Sequence, residues 1–171
     1  SQVTELMQQD LTAAAGAPVA VELQSVKAAG SFDVLFGDCI DDLDVALDQY
    51  EPDAGLLSCK ASVAVVEKTL VSHLLKSNCP VTHQPDWASV QITYRGPEID
   101  EASVLAYIVS YREHSDFHEH CVESIFTDIS QRCKPDFVQV YARYTRRGGL
   151  DINPLRSSEK LLVVNNPRLI R

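Results

Sequence analysis

Cys79 is the residue of this chain best placed to act as a nucleophile. It lies in the polar run SNCPVTHQPD, between Asn78 and Pro80, with Lys76 just before it and Asp86 seven residues on. A thiol in such a loop is accessible. A cation from Lys76 or a histidine would raise its thiolate fraction at neutral pH, and the thiolate is the attacking species. A carboxyl such as Asp86, held beside it in a pocket, can exchange a proton with whatever forms on the sulfur. Taken alone, Cys79 also reads as a small residue capping a turn, and Asp86, behind Pro85, as a simple turn carboxylate.

Two further groups could hold a ligand. His118 and Glu119 open a helical pattern, where an imidazole and a carboxylate can reach a purine-like ring that offers N–H donors. Glu119 would equally serve as the capping-box partner of Asp116. The run YARYTRRGG gathers Arg143, Arg146 and Arg147 beside Gly148 and Gly149 in an otherwise acidic chain. That makes a phosphate cradle plausible on chemical grounds, with a solvated hairpin as the alternative. The run lacks the strand-turn-helix setting of G-x-G-x-x-G, so a nicotinamide nucleotide would bind outside a Rossmann fold.

No metal site is expected. His118, Glu119, His120 and Cys121 are consecutive, and neighbouring helical positions point in different directions. The acidic stretch from Asp33 to Asp53 lacks the ligand alternation and closing glutamate of a calcium loop.

These residues need elements to position them. Val3, Leu6, Met7, Leu11 and Ala14 recur at helical spacing, with Thr4 as a possible cap and Gly16 as a stop. Alternation from Pro18 to Val26 predicts a short strand. Residues 28–62 lose periodicity and read as an acidic connector. From Val63 an extended run reaches Leu75, and a strand follows in which Ala88, Val90, Ile92 and Tyr94 share the dry face. Asp100 can cap a helix striped by Val104, Leu105, Ile108 and Val109. Asp116 can cap a second, buried along Phe117, Cys121, Val122, Ile125, Phe126 and Ile129 and ended by Pro135. A last strand alternates Val138, Val140, Ala142 and Tyr144, with another strand expected beyond it. Two antiparallel helices on one face of an antiparallel sheet would bury every apolar stripe, an α+β domain over residues 63–171.

Composition bounds the partners. The 171 residues are 45% hydrophobic and 23% charged, with a formal net charge of -9. An acidic surface disfavours direct binding to nucleic acid or anionic membrane. No apolar run approaches the ~20 residues of a membrane span, and the start resembles no signal peptide, so a cytoplasmic protein is expected. The five cysteines, odd in number and without C-x-x-C, suggest reduced thiols. The chain starts at Ser1 without a methionine, and one helix plus one strand cannot bury a core, so sequence before Ser1 is expected.

Taken in order, LVSHLLKSNCPVTHQPDWASVQITYRG, FHEHCVESIF and VYARYTRRGGLDINPLRS resemble the NADPH-dependent 7-cyano-7-deazaguanine reductases, the nitrile reductases of queuosine synthesis. The resemblance spans most of Val63 to Ser157, is that of the carboxy-terminal part of a bimodular member, and implies a tunnelling fold. It implies that Cys79 forms a covalent thioimide with the nitrile carbon and Asp86 donates the proton. It further implies that His118 and Glu119 bind the 7-deazaguanine substrate, and that Arg147 and Gly148 help hold NADPH. Residues 1–27 would be the remnant of a first tunnelling-fold module, 28–62 the inter-module connector and 63–171 the catalytic module, working as a homodimer of bimodular chains. The family's E-S-K signature is absent from this chain, so the fragment would lack part of the site. A GTP-cyclohydrolase-like enzyme of the same fold and a non-catalytic ligand-binding module are the competing readings.

Overall fold

The computed structural model describes residues 1–25, 34–61 and 64–160. The described residues divide into two compact units, 1–25 and 34–160. In the first unit, α1 (Gln2–Ala15) is capped by Ser1, whose hydroxyl accepts from the Thr4 amide, and closes at Gly16 in the left-handed conformation. The cap is therefore Ser1 rather than Thr4. The face carrying Val3, Leu6, Met7 and Leu11 is exposed.

Residues 18–25 do not form the expected strand. Alternation specifies only which side chains share a face, whereas a strand exists when a neighbour takes its backbone groups. No strand among the described residues pairs with this segment. The expected end of that strand at Val26, the start of the connector, the onset of the extended run at Val63 and the end of the chain after Lys160 lie outside the described residues.

The second unit is α+β. Its five-stranded sheet runs in the order β1 (Asp38–Cys39), β2 (Val65–Asn78), β3 (Pro85–Pro97), β4 (Phe137–Tyr144), β5 (Leu155–Ser157). All neighbours are antiparallel except β1, which lies parallel to β2. That parallel edge comes from the acidic stretch, where two paired residues are too few to leave an alternating signature. The stretch also sends Ile40 and Leu57 into the core, and Gln91 Nε2 donates to the Phe36 carbonyl at 2.6 Å.

The alternation along β3 and β4 is realised: Ala88, Val90, Ile92 and Tyr94 meet Tyr144, Ala142, Val140 and Val138 in register, and all eight are buried. Helix α2 (Glu101–Val109) packs on β2, while α3 (His118–Cys133) packs on β4 and β5. Their buried faces, Val104, Leu105, Ile108 and Val109 from one and Cys121, Val122, Ile125 and Ile129 from the other, join the same cluster as the strands. A side chain buried this way contributes about 1.5–3 kcal/mol, so the shared core supplies the scaffold that holds the loops.

Two caps of the second unit also differ from expectation. Asp100 stands at the cap of α2 without a side-chain bond to the helix. Helix α3 begins after Phe117, not after Asp116, because the Asp116 amide is drawn to the Asn78 carbonyl at 3.1 Å and its carboxylate accepts from Phe117 N and His120 Nδ1. Glu119 is consequently no capping-box partner. At the far end Lys134 takes a left-handed conformation, φ 48°, and Pro135 follows, as a helix stop requires. Among the described residues no helix is long and apolar enough to cross a membrane.

Candidate active site

The loop from Cys79 to Gln84 closes on itself. The Cys79 amide donates to the Gln84 carbonyl at 2.9 Å, and the His83 amide to the Cys79 carbonyl at 2.9 Å. His83 adopts φ 56°, the left-handed conformation such a tight reversal demands of one residue. The half-buried Cys79 thus sits at the mouth of a hairpin rather than in the sheet.

The residues just before Cys79 bind the approach to α3. Asn78 N donates to His114 O at 2.8 Å, and its side-chain amide reaches the carbonyls of Arg112 and His114. Lys76 Nζ donates to Asn78 Oδ1 and to Arg112 O at 2.8 and 2.7 Å. These bonds lay residues 114–117 beside the hairpin and so bring the first turn of α3 next to Cys79. Lys76 therefore acts as a tether and is not the cation expected beside the sulfur.

Asp86 opens β3 with only 2% of its surface exposed. Its Oδ1 accepts from Arg147 Nε at 2.7 Å and pairs with Arg147 Nη2 at 2.5 Å. Its Oδ2 faces His118 Nε2 at 3.2 Å. The His118 ring stacks flat on Tyr144, centroids 3.8 Å apart, which fixes its plane. The imidazole and guanidinium together compensate a buried carboxylate that would be costly alone.

Arg147 also donates to Thr82 Oγ1 and Gln84 O, at 3.1 and 3.3 Å. It is delivered there by a two-residue turn in which Arg147 and Leu150 exchange backbone bonds and Gly148 and Gly149 take φ 54° and 85°. Positive φ at both central positions is the turn that matches strand twist, and glycine adopts it without strain.

The sulfur of Cys79 is tuned by this setting. Hydrogen bonds from the Thr82 hydroxyl, then from the Thr82 and Val81 amides, lower its pKa from 9.0 to about 7, with the Arg147 charge adding to them. Cys121, in contrast, is fully buried, and burial pushes its thiol up to about 11. Of these two thiols, Cys79 is the one activated.

Cys79, Asp86, His118, Glu119 and Arg147 line one pocket with Pro80, Asp116, Phe117 and Ile152, enclosing about 190 Å³. Gly148 lies in the turn that follows. The expected site residues are thus gathered from β3, α3 and two loops. The pocket wall includes Thr82's partner Arg147, and sequence spacing offered no signal for Thr82 itself. The string from His118 to Cys121 does not converge on an ion: His118 faces Asp86, His120 faces Asp116, and Cys121 is in the core.

Residues 85–162 match the QueF-like protein family. The chain is 55% identical over 171 residues to a protein of Burkholderia multivorans and 56% identical over 156 residues to one of Bordetella avium, both named NADPH-dependent 7-cyano-7-deazaguanine reductase. These alignments cover 99% and 90% of this chain but 62% and 57% of the relatives, so the chain spans about three fifths of their length. A solved structure of an apo archaeosine synthase QueF-Like aligns with TM-score 0.49 and 19% identity, over 59% of this chain and 99% of that one. Residues 85–162 thus match the QueF-like family, and over about three fifths of their length the chain is similar to proteins named NADPH-dependent 7-cyano-7-deazaguanine reductase, with more than half its residues identical.

Proposed function

We propose that the protein containing this chain reduces the nitrile of 7-cyano-7-deazaguanine to the aminomethyl group in queuosine synthesis, and that this chain supplies the nucleophile and the proton-transfer carboxyl. The observation that carries the reading is Cys79, lowered to about 7, sharing one pocket with Asp86 and the start of α3. A nitrile is a weak electrophile. Addition to it requires a soft, ionised nucleophile and a proton for the nitrogen that gains charge.

In this reading the Asp86 carboxylate takes the proton of the Cys79 thiol, the sulfur adds to the nitrile carbon, and Asp86 hands that proton to the nitrogen as the triple bond becomes a C=N double bond. The product is a thioimide. His118, fixed by Tyr144, and Glu119, on the exposed rim, bind the heterocycle, whose adjacent N–H groups suit a carboxylate. The space of about 190 Å³ suits one flat bicyclic ring. Covalent capture then keeps the imine-level species from water.

NADPH, which the relatives' name specifies, would supply hydride when bound. The residues at the pocket rim fit its anionic part. A Cβ built on Gly148 or Gly149 would meet nothing within 4 Å, so the turn backbone is open to an approaching phosphate, with exposed Arg146 beside it. Arg147, expected to help hold NADPH, also donates to Asp86 and keeps that carboxylate in place. The fold is taken as a tunnelling-fold module following a first one, the working assembly as a cytoplasmic homodimer of bimodular chains, and the partner as the small heterocycle rather than nucleic acid or membrane.

The test is to mix the full-length protein with 7-cyano-7-deazaguanine without NADPH. The expected result is a mass increase equal to the nitrile, with new thioimide absorbance, both abolished by Cys79→Ala. A wild-type protein that binds the nitrile and forms no adduct overturns the reading.

A further inference from the structure

A second constellation lies at the β1 edge of the sheet, away from the residues of the pocket. Cys39, Asp41 and His73 each place one potential ligand atom within 4.8 Å of the other two. We propose that these three residues form an open Zn²⁺ site, with water completing the coordination.

The backbone builds this cluster. β1 pairs parallel to β2, Cys39 opposite Val71, and Ile40 N donates to Val71 O at 3.0 Å. Cys39 and Asp41, two residues apart at this edge, thereby come alongside the stretch of β2 that carries His73. On its other side β2 pairs regularly with β3 up to Ser72 opposite Val90 and again from Leu75 opposite Ala88. Between them β2 has one residue more than β3, so the chain bulges at His73 and Leu74. A bulge redirects a side chain that regular pleating would aim elsewhere.

The side chains are braced as zinc ligands usually are. Asp41 Oδ1 accepts from Ser72 Oγ at 2.6 Å and Oδ2 from His73 N at 2.9 Å. Each oxygen keeps a second lone pair for a cation. His73 Nδ1 lies 2.8 Å from Ser89 Oγ. Donation of the Nδ1 proton to that hydroxyl leaves Nε2 with a lone pair, the tautomer a metal requires.

The donor set selects the ion. Thiolate, imidazole and carboxylate are together the ligands of Zn²⁺, whereas Ca²⁺ and Mg²⁺ take oxygen alone. Closing from separations of at most 4.8 Å to the spacing that bonds of about 2.0–2.3 Å impose needs a shift of about 1 Å or less. Cys39 and His73 are exposed, so their side chains can make that shift without disturbing the core. Three protein ligands leave a position open to water or to an anion.

The test uses the full-length protein carrying Cys79→Ala, so that the pocket thiol cannot bind the metal. Titration with Zn²⁺ against a chromogenic chelator is expected to show one equivalent bound. Cd²⁺ titration is expected to give the ultraviolet sulfur-to-cadmium band. Cys39→Ser and His73→Gln should each weaken Zn²⁺ by roughly tenfold or more, and Cys39→Ser should erase the band. Circular dichroism of both variants checks that the sheet edge is intact. Zn²⁺ affinity unchanged in both variants, or a thiolate band that survives Cys39→Ser, overturns the proposal.

Discussion

Arg147 donates from Nε to Oδ1 of Asp86 at 2.7 Å, across 61 residues of chain. The contact joins the turn after β4 to the first residues of β3, and it passes directly over the hairpin that carries Cys79. One cation therefore serves two acids. It compensates the buried Asp86 carboxylate, and its charge helps to lower the Cys79 thiol.

Arg147→Ala should destabilise the protein even though the side chain is a third exposed. The loss leaves Asp86, 2% exposed, facing the His118 imidazole at 3.2 Å without the guanidinium. Hydrogen bonds to a charged group contribute about 1.5–3 kcal/mol, and solvent screening at the exposed guanidinium reduces that to about 1–2 kcal/mol. Urea unfolding measures it. The double variant with Asp86→Asn should recover part of the loss, because an uncharged amide no longer needs the cation. Equal stability of wild type and Arg147→Ala would show that the ion pair is immaterial.

Alkylation of Cys79 should follow a pH curve centred near 7, not near 9. A thiol lowered from 9.0 to about 7 is mostly thiolate above neutrality, and its reactivity falls about tenfold per pH unit below that midpoint. The same shift links to stability. The thiolate is favoured by folding, so its contribution is fully present above pH 9 and is lost as pH falls through 7. Cys39 and Cys59 are exposed and react too, so peptide-level mass spectrometry must resolve the sites. Thr82→Val should move the Cys79 midpoint upward, since the Thr82 hydroxyl bond is the largest cause of the lowering.

Cys79, Asp86, His118, Glu119 and Arg147 were legible in the sequence as candidate site residues, while Ile152 on the same pocket wall and the bonds among the five were not. The dry faces of β3 and β4 and the stripes of α2 and α3 follow from periodicity, because burial on one side leaves a period in the chain. Thr82, Arg147 and Asp86 meet through a hairpin and a glycine turn, and no period records a meeting across 61 residues. Lys76 illustrates the difficulty. It stands nearest Cys79 in sequence among the cations, yet its ammonium is taken by Asn78 and Arg112. The start of α3 was misplaced for a similar reason: Asp116 has the chemistry of a cap, and a contact with Asn78 draws its backbone away. Residues 18–25 alternate, but alternation does not provide a partner strand.

Stability and site tuning should be separable at Tyr107. Its hydroxyl donates to Asp128 Oδ2 at 2.6 Å and lies 2.8 Å from Tyr111 Oη, tying α2 and the following turn to α3. Burial pushes the phenol pKa far upward, so it remains a proton donor throughout the working range. Tyr107→Phe leaves Tyr111 and Asp128 each short of a partner and should cost about 1–3 kcal/mol. The urea midpoint should fall with unchanged slope, while the pH curve of Cys79 alkylation stays where it is. A displaced curve would mean that the network also sets the geometry of the hairpin.

Glu119→Gln should separate ligand recognition from the chemistry at sulfur. The exposed Glu119 side chain stands on the pocket wall, and Asp116, which would pair with it in a capping box, is engaged with Phe117 and His120. A carboxylate offers two acceptor oxygens to adjacent N–H donors on a guanine-like edge, whereas an amide sets its own N–H₂ against one of them. Charge-assisted bonds of this kind contribute about 1.5–3 kcal/mol, which corresponds to roughly 10–150-fold in affinity. Equilibrium titration of 7-cyano-7-deazaguanine in the full-length Cys79→Ala background, where no covalent bond can form, reads that loss directly. Alkylation of Cys79 in the single Glu119→Gln variant should keep its midpoint near 7, because Glu119 is not among the causes of the thiol's shift. Undiminished affinity in the double variant would remove Glu119 from recognition and leave His118 as the contact from α3.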